Sequence, residues 1–234
     1  MSSPELSRPF AGWTWDRVAV SGPDAVSFMH GQVSQDVTGL AIGESAWSFI
    51  LEPTGKVCAL FFITRSATDG LTCDIDPGFA DALVARINRF KIRIKADVVI
   101  ETVGQKWSSV AEADRVARGW PAMGVELDNS VIPGETGLID MTVNFTKGCY
   151  TGQELVARVD SRGGNVPRHL RSLQVSEASA EFVVGAELVR DGKVVGAISS
   201  VVGSSGLAYV HRTVVAPGDV DCGSLTVHVK AIQR

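Results

Sequence analysis

The chain has 234 residues, of which 45% are hydrophobic, and a net charge of −4 from 22 basic and 26 acidic side chains. This length allows one large or two small domains, and the hydrophobic content argues against global disorder. The charge balance gives no general attraction to nucleic acid or to an anionic membrane, so neither is an expected partner.

The N-terminal sequence MSSPELSRPFAGW lacks the basic segment and apolar run of a secretory signal. No apolar stretch approaches the ~20 residues that a membrane-spanning helix needs. We therefore expect a cytoplasmic protein whose cysteines are reduced thiols. The chain has four cysteines, Cys58, Cys73, Cys149 and Cys222. Because they are scattered and form no C-x-x-C pair, the sequence predicts no metal site.

The first part of the chain predicts strands joined by turns, with two helices. Strong alternation or apolar runs predict the strands, and apolar side chains at helical spacing predict the second helix. Asp24 is expected to help start the first helix. The predicted strands are Trp15–Ser21, Ala46–Ile50, Val57–Thr64, Leu71–Ile75 and Lys91–Ile100, and the helices are Ala25–His30 and Phe79–Phe90. Antiparallel pairing of such strands, layered with helices, indicates an α+β fold.

The composition changes after Pro167, where short runs rich in Val alternate with turn residues. Asp191-Gly192 is a hairpin signal between two of these runs. This pattern predicts a small all-β unit, a barrel or a sandwich, with a boundary near residue 167. Short helices are expected before it, at Glu112–Gly119 and Gly152–Arg158; the predicted strands are Leu170–Val175, Glu187–Val189, Lys193–Ser199, Leu207–Val210 and Leu225–Val229.

Cys149 lies in a polar stretch, FTKGCYTGQELVARVDSRG. Lys147 is two residues away, and a helix that begins near Gly152 would add positive potential, so both would stabilise a thiolate. A free cysteine is more often a small buried apolar residue, and no general base is evident nearby. The spacing alone therefore favours a buried Cys149 and leaves a reactive thiol as the alternative.

Gln153 and Glu154 place an amide beside a carboxylate, which together can bond both edges of a flat heterocycle. The alternative is an acid that stabilises the N-terminus of a helix. Basic side chains also cluster between Arg86 and Lys95. That cluster indicates either a solvated outer face, the simpler interpretation, or a site for a polyanion such as a polycarboxylate tail.

The stretch Lys147–Glu154, KGCYTGQE, resembles the signature of the YgfZ-type folate-binding proteins. These are relatives of the glycine-cleavage T-protein, an aminomethyltransferase. Further stretches extend the resemblance over nearly the whole chain: Val20–Ala25, Gly31–Val37, Glu52–Val57, Val195–Ser200 and Leu207–Val210.

The resemblance implies an aminomethyltransferase-like folate-binding body of antiparallel sheets with helices, residues 1–166, and a small C-terminal β-barrel, residues 167–234. It implies tetrahydrofolate or a one-carbon derivative as the ligand. It also implies a role in making or maintaining iron–sulfur proteins, so these proteins or their assembly machinery are the expected partners. Lys147 and Cys149 carry over as the functional core of the signature, and the expected ligand contacts are Tyr150, Gln153, Glu154, Arg158 and Arg162.

The chain departs from the aminomethyltransferases at Cys58, Ala59 and Leu60, where those enzymes carry paired aspartates. Aminomethyl transfer needs a group there to assist proton movement, so the sequence argues against glycine-cleavage activity. The leading hypothesis is a tetrahydrofolate-binding accessory protein for assembly or repair of iron–sulfur proteins. The alternatives are a tetrahydrofolate-dependent aminomethyl- or methyltransferase and a non-catalytic interaction module on the same fold.

Overall fold

The computed structural model describes residues 12–233, so most of the N-terminal segment that lacks a secretory pattern lies outside the described residues. The described chain divides into two compact units that alternate along the sequence. The first unit contains the residues up to Ser108 together with Leu127–Pro133 and Leu138–Arg158. The second contains Ser109–Glu126, Gly134–Gly137 and the residues from Val159 onward.

In chain order the described residues form these strands and helices: β1 (Asp16–Ser21), α1 (Ala25–His30), β2 (Ser45–Leu51), β3 (Val57–Ala67), β4 (Gly70–Ile75), α2 (Ala80–Phe90), β5 (Asp97–Thr102), α3 (Ser109–Ala117), α4 (Ile139–Thr142), α5 (Gln153–Ser161), β6 (Arg168–Gln174), β7 (Glu187–Arg190), β8 (Lys193–Val202), β9 (Ser205–His211), β10 (Gly218–Cys222) and β11 (Leu225–Lys230).

A five-stranded antiparallel sheet in the order β2-β3-β4-β1-β5 organises the first unit. The predicted meander is confirmed, because β2 pairs with β3 and β3 with β4. The central parts of β2 and β3 carry runs of apolar residues, and most of their side chains are buried. Helix α2 packs against β1, β3 and β5, and α1 packs against β1 and β4. The sheet therefore packs against both helices that were predicted in this part of the sequence.

The strand predicted at Lys91–Ile100 is wrong in its first half. Regular pairing begins only at Asp97, where β5 lines up with β1. Arg93 adopts a φ of 60°, which interrupts an extended chain. Lys91 folds back instead, and its Nζ donates to the carbonyl oxygen of Ala96 at 2.7 Å. The alternating letters KIRIK therefore mark an irregular connection rather than a strand.

Asp24 occupies the N-cap position of α1, where the sequence predicted it, but its side chain makes no capping hydrogen bond. Its Oδ2 accepts a hydrogen bond from the backbone N of Lys95 at 2.8 Å. The Asp24 carboxylate therefore accepts from the backbone of Lys95 instead of from the first turn of α1.

The second unit contains a closed antiparallel barrel in the order β10-β11-β6-β9-β8-β7, which confirms the small all-β unit predicted from the sequence. Asp191 and Gly192 form the predicted hairpin turn between β7 and β8. Their φ angles are 52° and 71°, and positive values at both positions are what a type I′ turn requires. The barrel strands begin at Arg168, and the functional division of the chain at residue 167 stays a prediction.

A buried ion pair joins α3 to the barrel strand β8. Arg115 is fully buried, and its Nη1 donates to Oε2 of Glu126 at 2.9 Å. The other oxygen of Glu126 accepts from Ser200 Oγ at 2.6 Å and from Ser199 Oγ at 2.7 Å. Arg115 Nη2 also donates to Ser200 Oγ at 2.6 Å. Both charges are thus paired and hydrogen-bonded, as burial of charge requires.

Candidate functional site

The signature residues form a loop between α4 and α5 in the first unit. Asn144 closes the start of this loop, because its Oδ1 accepts hydrogen bonds from the backbone N of Thr146 at 2.8 Å and of Lys147 at 2.9 Å. The backbone N of Asn144 donates in turn to the carbonyl oxygen of Ser34 at 3.0 Å. The loop therefore leaves α4 in a fixed direction.

Lys147 is held by three backbone carbonyls. Its Nζ donates to the oxygens of His30 at 2.5 Å, Val33 at 2.7 Å and Gln35 at 3.0 Å. An ammonium group has three donors, so all of them are in use. These oxygens come from the end of α1 and the segment that follows, where helix carbonyls carry partial negative charge. Burial lowers the pKa of Lys147 to about 8, while the charge of Asp36 acts in the opposite direction.

Cys149 and Tyr150 have opposite environments. Cys149 is exposed, which contradicts the buried cysteine favoured by spacing alone. Tyr150 is buried at 9% exposure, and its ring centroid lies 5.1 Å from Nζ of Lys147. Burial raises the pKa of Tyr150 to about 12, so the phenol stays neutral. The loop thus presents a thiol to solvent and keeps an aromatic ring against the ammonium.

Gly152 lets the signature loop pack directly on the hairpin between β2 and β3. Its φ is +84°, and a Cβ at this position would lie 2.5 Å from the carbonyl oxygen of Glu52 and 2.8 Å from Cβ of Leu51. Gly55 in the hairpin turn has a φ of +83°, and a Cβ there would lie 2.4 Å from Cβ of Leu155. Only glycine fits such close approaches at positive φ, so these two positions set the contact.

The other predicted ligand residues lie at and after the start of α5. Gln153 Oε1 accepts from the backbone N of Tyr150 at 3.2 Å, which leaves its NH₂ group as the available donor. Glu154 and Arg158 form an exposed ion pair one helical turn apart. Arg162 is exposed and belongs to the second unit. The structure thus brings Lys147, Tyr150 and Gln153 together, whereas Glu154 and Arg158 face solvent.

Sequence reasoning missed Gln32 as a connection between the signature and α2. Its Oε1 accepts from Thr151 Oγ1 at 3.5 Å and from Arg86 Nη1 at 3.2 Å. Arg86 Nη2 donates in turn to the carbonyl oxygen of Leu51 at 2.6 Å. Gln32 lies in one of the stretches that resemble the family, and this is a signal that could have found it. Arg86 gave no such signal, because its position is typical of any basic residue in an amphipathic helix.

An acid from the preceding turn lies near the position at which the chain lacks aspartates. Ala59 and Leu60 are buried apolar residues. Cys58 is half-buried and interacts with Glu52, and burial followed by this carboxylate raises the pKa of the Cys58 thiol to about 11. Glu52 thus supplies a carboxylate near the start of β3, although it is not at the place of the aspartates.

In residues 12–233, no group of three or more histidine, cysteine or acidic side chains is arranged to hold a metal ion. No helix in the same part of the chain has the length and apolar character to cross a membrane. A cavity of about 550 Å³ opens in the second unit, between α3, β6, β9 and the last described residues, and no signature residue lines it.

No protein-family model matches the chain. The chain is 25% identical to an uncharacterized protein of Haemophilus influenzae, with 87% of each chain covered. It is 26% identical to the tRNA-modifying protein YgfZ of an Enterobacter species, over 64% of this chain and 67% of the relative. It is 25% identical to a mitochondrial iron–sulfur cluster assembly factor, the IBA57 homolog of Pyricularia oryzae, over 62% and 52% of the two chains.

A solved structure shares the fold. The glycine cleavage system aminomethyltransferase T from Bartonella henselae superposes with a TM-score of 0.75, covering 93% of this chain and 83% of that chain, at 15% identity. The chain therefore has the aminomethyltransferase-like fold expected from the sequence.

Replacing Gly152 with alanine tests the packing of the signature loop on the hairpin. We expect Gly152→Ala to lower the free energy of unfolding by about 2–4 kcal/mol, because strain at positive φ adds to a clash with backbone. Gly148→Ala is the matched control: a Cβ there meets nothing within 4 Å, so its stability should stay within about 0.5 kcal/mol of the wild type. Denaturant unfolding measures both, and equal stabilities would contradict this packing.

The burial of Lys147 predicts a pH dependence. Its pKa of about 8 in the folded chain lies below the ordinary 10.5, so between these values the unfolded chain binds more protons than the folded one. The free energy of unfolding of the wild type, relative to Lys147→Met, should therefore rise as the pH increases from 8 to 10. Urea unfolding of both proteins at several pH values measures this difference. A constant difference would show that the ammonium keeps its ordinary pKa, and a falling one that folding raises it; either result contradicts the prediction.

Proposed function

Because the chain belongs to the YgfZ-type protein family and has the aminomethyltransferase-like fold, we propose that it binds a reduced folate and assists the assembly or repair of iron–sulfur proteins. The observation that carries this proposal is the intact signature, folded into a loop that fixes Lys147 internally and exposes Cys149. The names of the relatives concern tRNA modification and iron–sulfur cluster assembly. A factor that maintains clusters in iron–sulfur enzymes, tRNA-modifying enzymes among them, accommodates both.

The exposed thiol supports a role in contact with another molecule. Cys149 sits on a loop whose backbone is fixed on one side by Asn144 and on the other by Gly152. A thiol presented on a fixed loop can approach a cluster, a partner protein or a one-carbon unit without a large rearrangement. In this proposal Lys147 fixes the loop that carries the thiol, and Cys149 is the residue that reacts.

The folate is proposed to bind beside the signature loop. The NH₂ group of Gln153 and the carboxylate of Glu154 are a donor and an acceptor suited to the edge of a pterin ring. Tyr150 lies at the same place with a neutral ring. Basic side chains of the first unit, Arg158 among them, are the proposed contacts for the negative charge of the folate, and the protein is proposed to work in the cytoplasm.

The transferase alternative is less well supported. Ala59 and Leu60 are buried and apolar, so no carboxylate occupies the place where aminomethyltransferases carry theirs. Glu52 lies near Cys58 but forms an ion pair with Arg89 at 3.8 Å. A paired carboxylate is poorly placed to accept a proton from a folate nitrogen, which favours an accessory role over aminomethyl transfer.

Isothermal titration with tetrahydrofolate tests the ligand. We expect saturable binding to the wild type, and a loss of roughly five- to tenfold in affinity for Glu154→Ala, which corresponds to the ~1 kcal/mol that a typical hydrogen bond contributes. Asp160→Ala removes an exposed acid from the same helix and should bind as the wild type does. Absence of heat up to millimolar tetrahydrofolate would exclude the folate proposal.

Removing the thiol tests the proposed chemistry. Because its side chain is exposed, Cys149→Ala should change the free energy of unfolding by no more than about 0.5 kcal/mol. The same variant should fail to restore the activity of an iron–sulfur enzyme in cells that lack this protein. Cys73→Ala is the control, since it removes a fully buried thiol from β4 and should restore activity. Full restoration by Cys149→Ala would assign the thiol no role.

A further inference from the structure

Arg86 in α2 is a buried cation that forms no ion pair with an acid in residues 12–233. It is 4% exposed, and both of its hydrogen-bond acceptors are uncharged: the side-chain oxygen of Gln32 and the backbone oxygen of Leu51. Its Nε is buried and finds no hydrogen-bond partner among residues 12–233. Burial lowers the pKa of this guanidinium, which reflects the cost of holding the charge there. Charges are seldom buried in proteins unless an opposite charge compensates them.

The acid that acts on Arg86 is already engaged elsewhere. Glu52 interacts electrostatically with Arg86, but its ion pair within the described chain is with Arg89, at 3.8 Å. Arg89 is 67% exposed and Glu52 30% exposed at their side chains, so this pair can exchange partners with a ligand. One carboxylate thus serves two guanidinium groups, and the cluster of Glu52, Arg86 and Arg89 has an excess of one positive charge.

The two arginines converge on one aromatic ring. The guanidinium carbon of Arg86 lies 4.1 Å from the centroid of Phe90, and that of Arg89 lies 5.7 Å from it. Arg86 retains Nε as a donor without a partner in the described part of the chain, and the guanidinium of Arg89 is exposed, so this pair of cations around one ring suits a carboxylate.

This cluster adjoins the signature loop. Gly152 packs against the backbone of Glu52 and Leu51, and the oxygen of Leu51 is the one that Arg86 binds. Gln32 connects Arg86 to Thr151 of the signature. A ligand that binds beside the signature loop therefore lies close to the cluster of Glu52, Arg86 and Arg89.

We propose that Arg86 and Arg89 form a carboxylate subsite that receives the anionic end of the ligand at the signature loop. The ligand's identity as a reduced folate rests on the proposed function, and the carboxylate is then that of its glutamate tail. The incoming carboxylate takes the place of Glu52 at Arg89 and forms a direct ion pair with Arg86, whose Nε is the donor without a partner among the described residues. The subsite selects ligands with an acidic tail over those without one.

Three probes separate this subsite from the pterin part of the site. Tetrahydrofolate carries both halves, N-(4-aminobenzoyl)-L-glutamate carries only the tail, and 6-methyltetrahydropterin carries only the ring. Isothermal titration of the wild type should show binding of tetrahydrofolate and weaker binding of the two halves. Arg86→Met should weaken tetrahydrofolate and the tail compound by roughly 10- to 100-fold, the effect of losing a hydrogen bond to a charged group, and leave the pterin unchanged.

Two further variants control for charge and for folding. Lys106→Met removes an exposed cation of the same unit and should leave all three affinities unchanged. Arg89→Met alters an exposed side chain, so it tests the subsite even if Arg86→Met does not fold. It should weaken the two carboxylate probes and leave the pterin unchanged.

The outcomes distinguish the two proposals. Equal affinity of tetrahydrofolate for the wild type, Arg86→Met and Arg89→Met overturns the subsite and leaves the proposed folate binding intact. Arginine-dependent binding of the tail compound without any binding of tetrahydrofolate or the pterin supports the subsite and overturns folate as the ligand. Failure of both carboxylate probes to bind the wild type overturns both proposals.

Discussion

The ammonium group of Lys147, shared among three carbonyl oxygens, determines how the signature loop meets the rest of the first unit. It joins residues that lie 112 to 117 positions apart in the chain. Because the acceptors belong to the end of α1 and the turn after it, the loop cannot shift without breaking hydrogen bonds to a charged group. Each such bond contributes about 1.5–3 kcal/mol. The burial of Tyr150 and the exposure of Cys149 both follow from this fixed position.

The structure distinguishes two roles of Lys147 that the sequence alone does not: activating the thiol and fixing the loop. A lysine two residues from a cysteine suggests a partner that activates the thiol. In the structure all three donors of Lys147 are occupied, so it acts as a fixed charge and as a bond between segments rather than as a mobile proton carrier. Gly152 and Gly55 also help to fix the loop, because each permits a close contact that any side chain would block. Most of the signature therefore encodes the shape that presents one thiol.

Local sequence patterns predicted the strands and turns whose conformation depends mainly on neighbouring residues. Alternation and turn residues predicted the meander and the barrel, and Asp191-Gly192 predicted its hairpin because the required φ angles belong to that dipeptide. The same alternation failed at KIRIK, where the positive φ of Arg93 is a tertiary choice. The network of Gln32, Arg86 and Thr151 joins positions 54 and 119 residues apart, so no sequence window contains it. Strand β10 escaped prediction because only two of its five residues, Val220 and Cys222, are apolar and face inward, and they alternate with two acids after a glycine.

The alternation of the two units along the chain has a consequence for how the protein can be divided. The barrel unit includes α3 and Glu126, which precede the first barrel strand by more than forty positions in the printed sequence. A fragment that begins at residue 167 would lose Arg115 and Glu126, and would leave Ser199 and Ser200 of β8 without their buried partners. Recombination at residue 167 would therefore transfer all six barrel strands without the buried ion pair that supports β8, so a working exchange of the barrel unit needs more than one crossover.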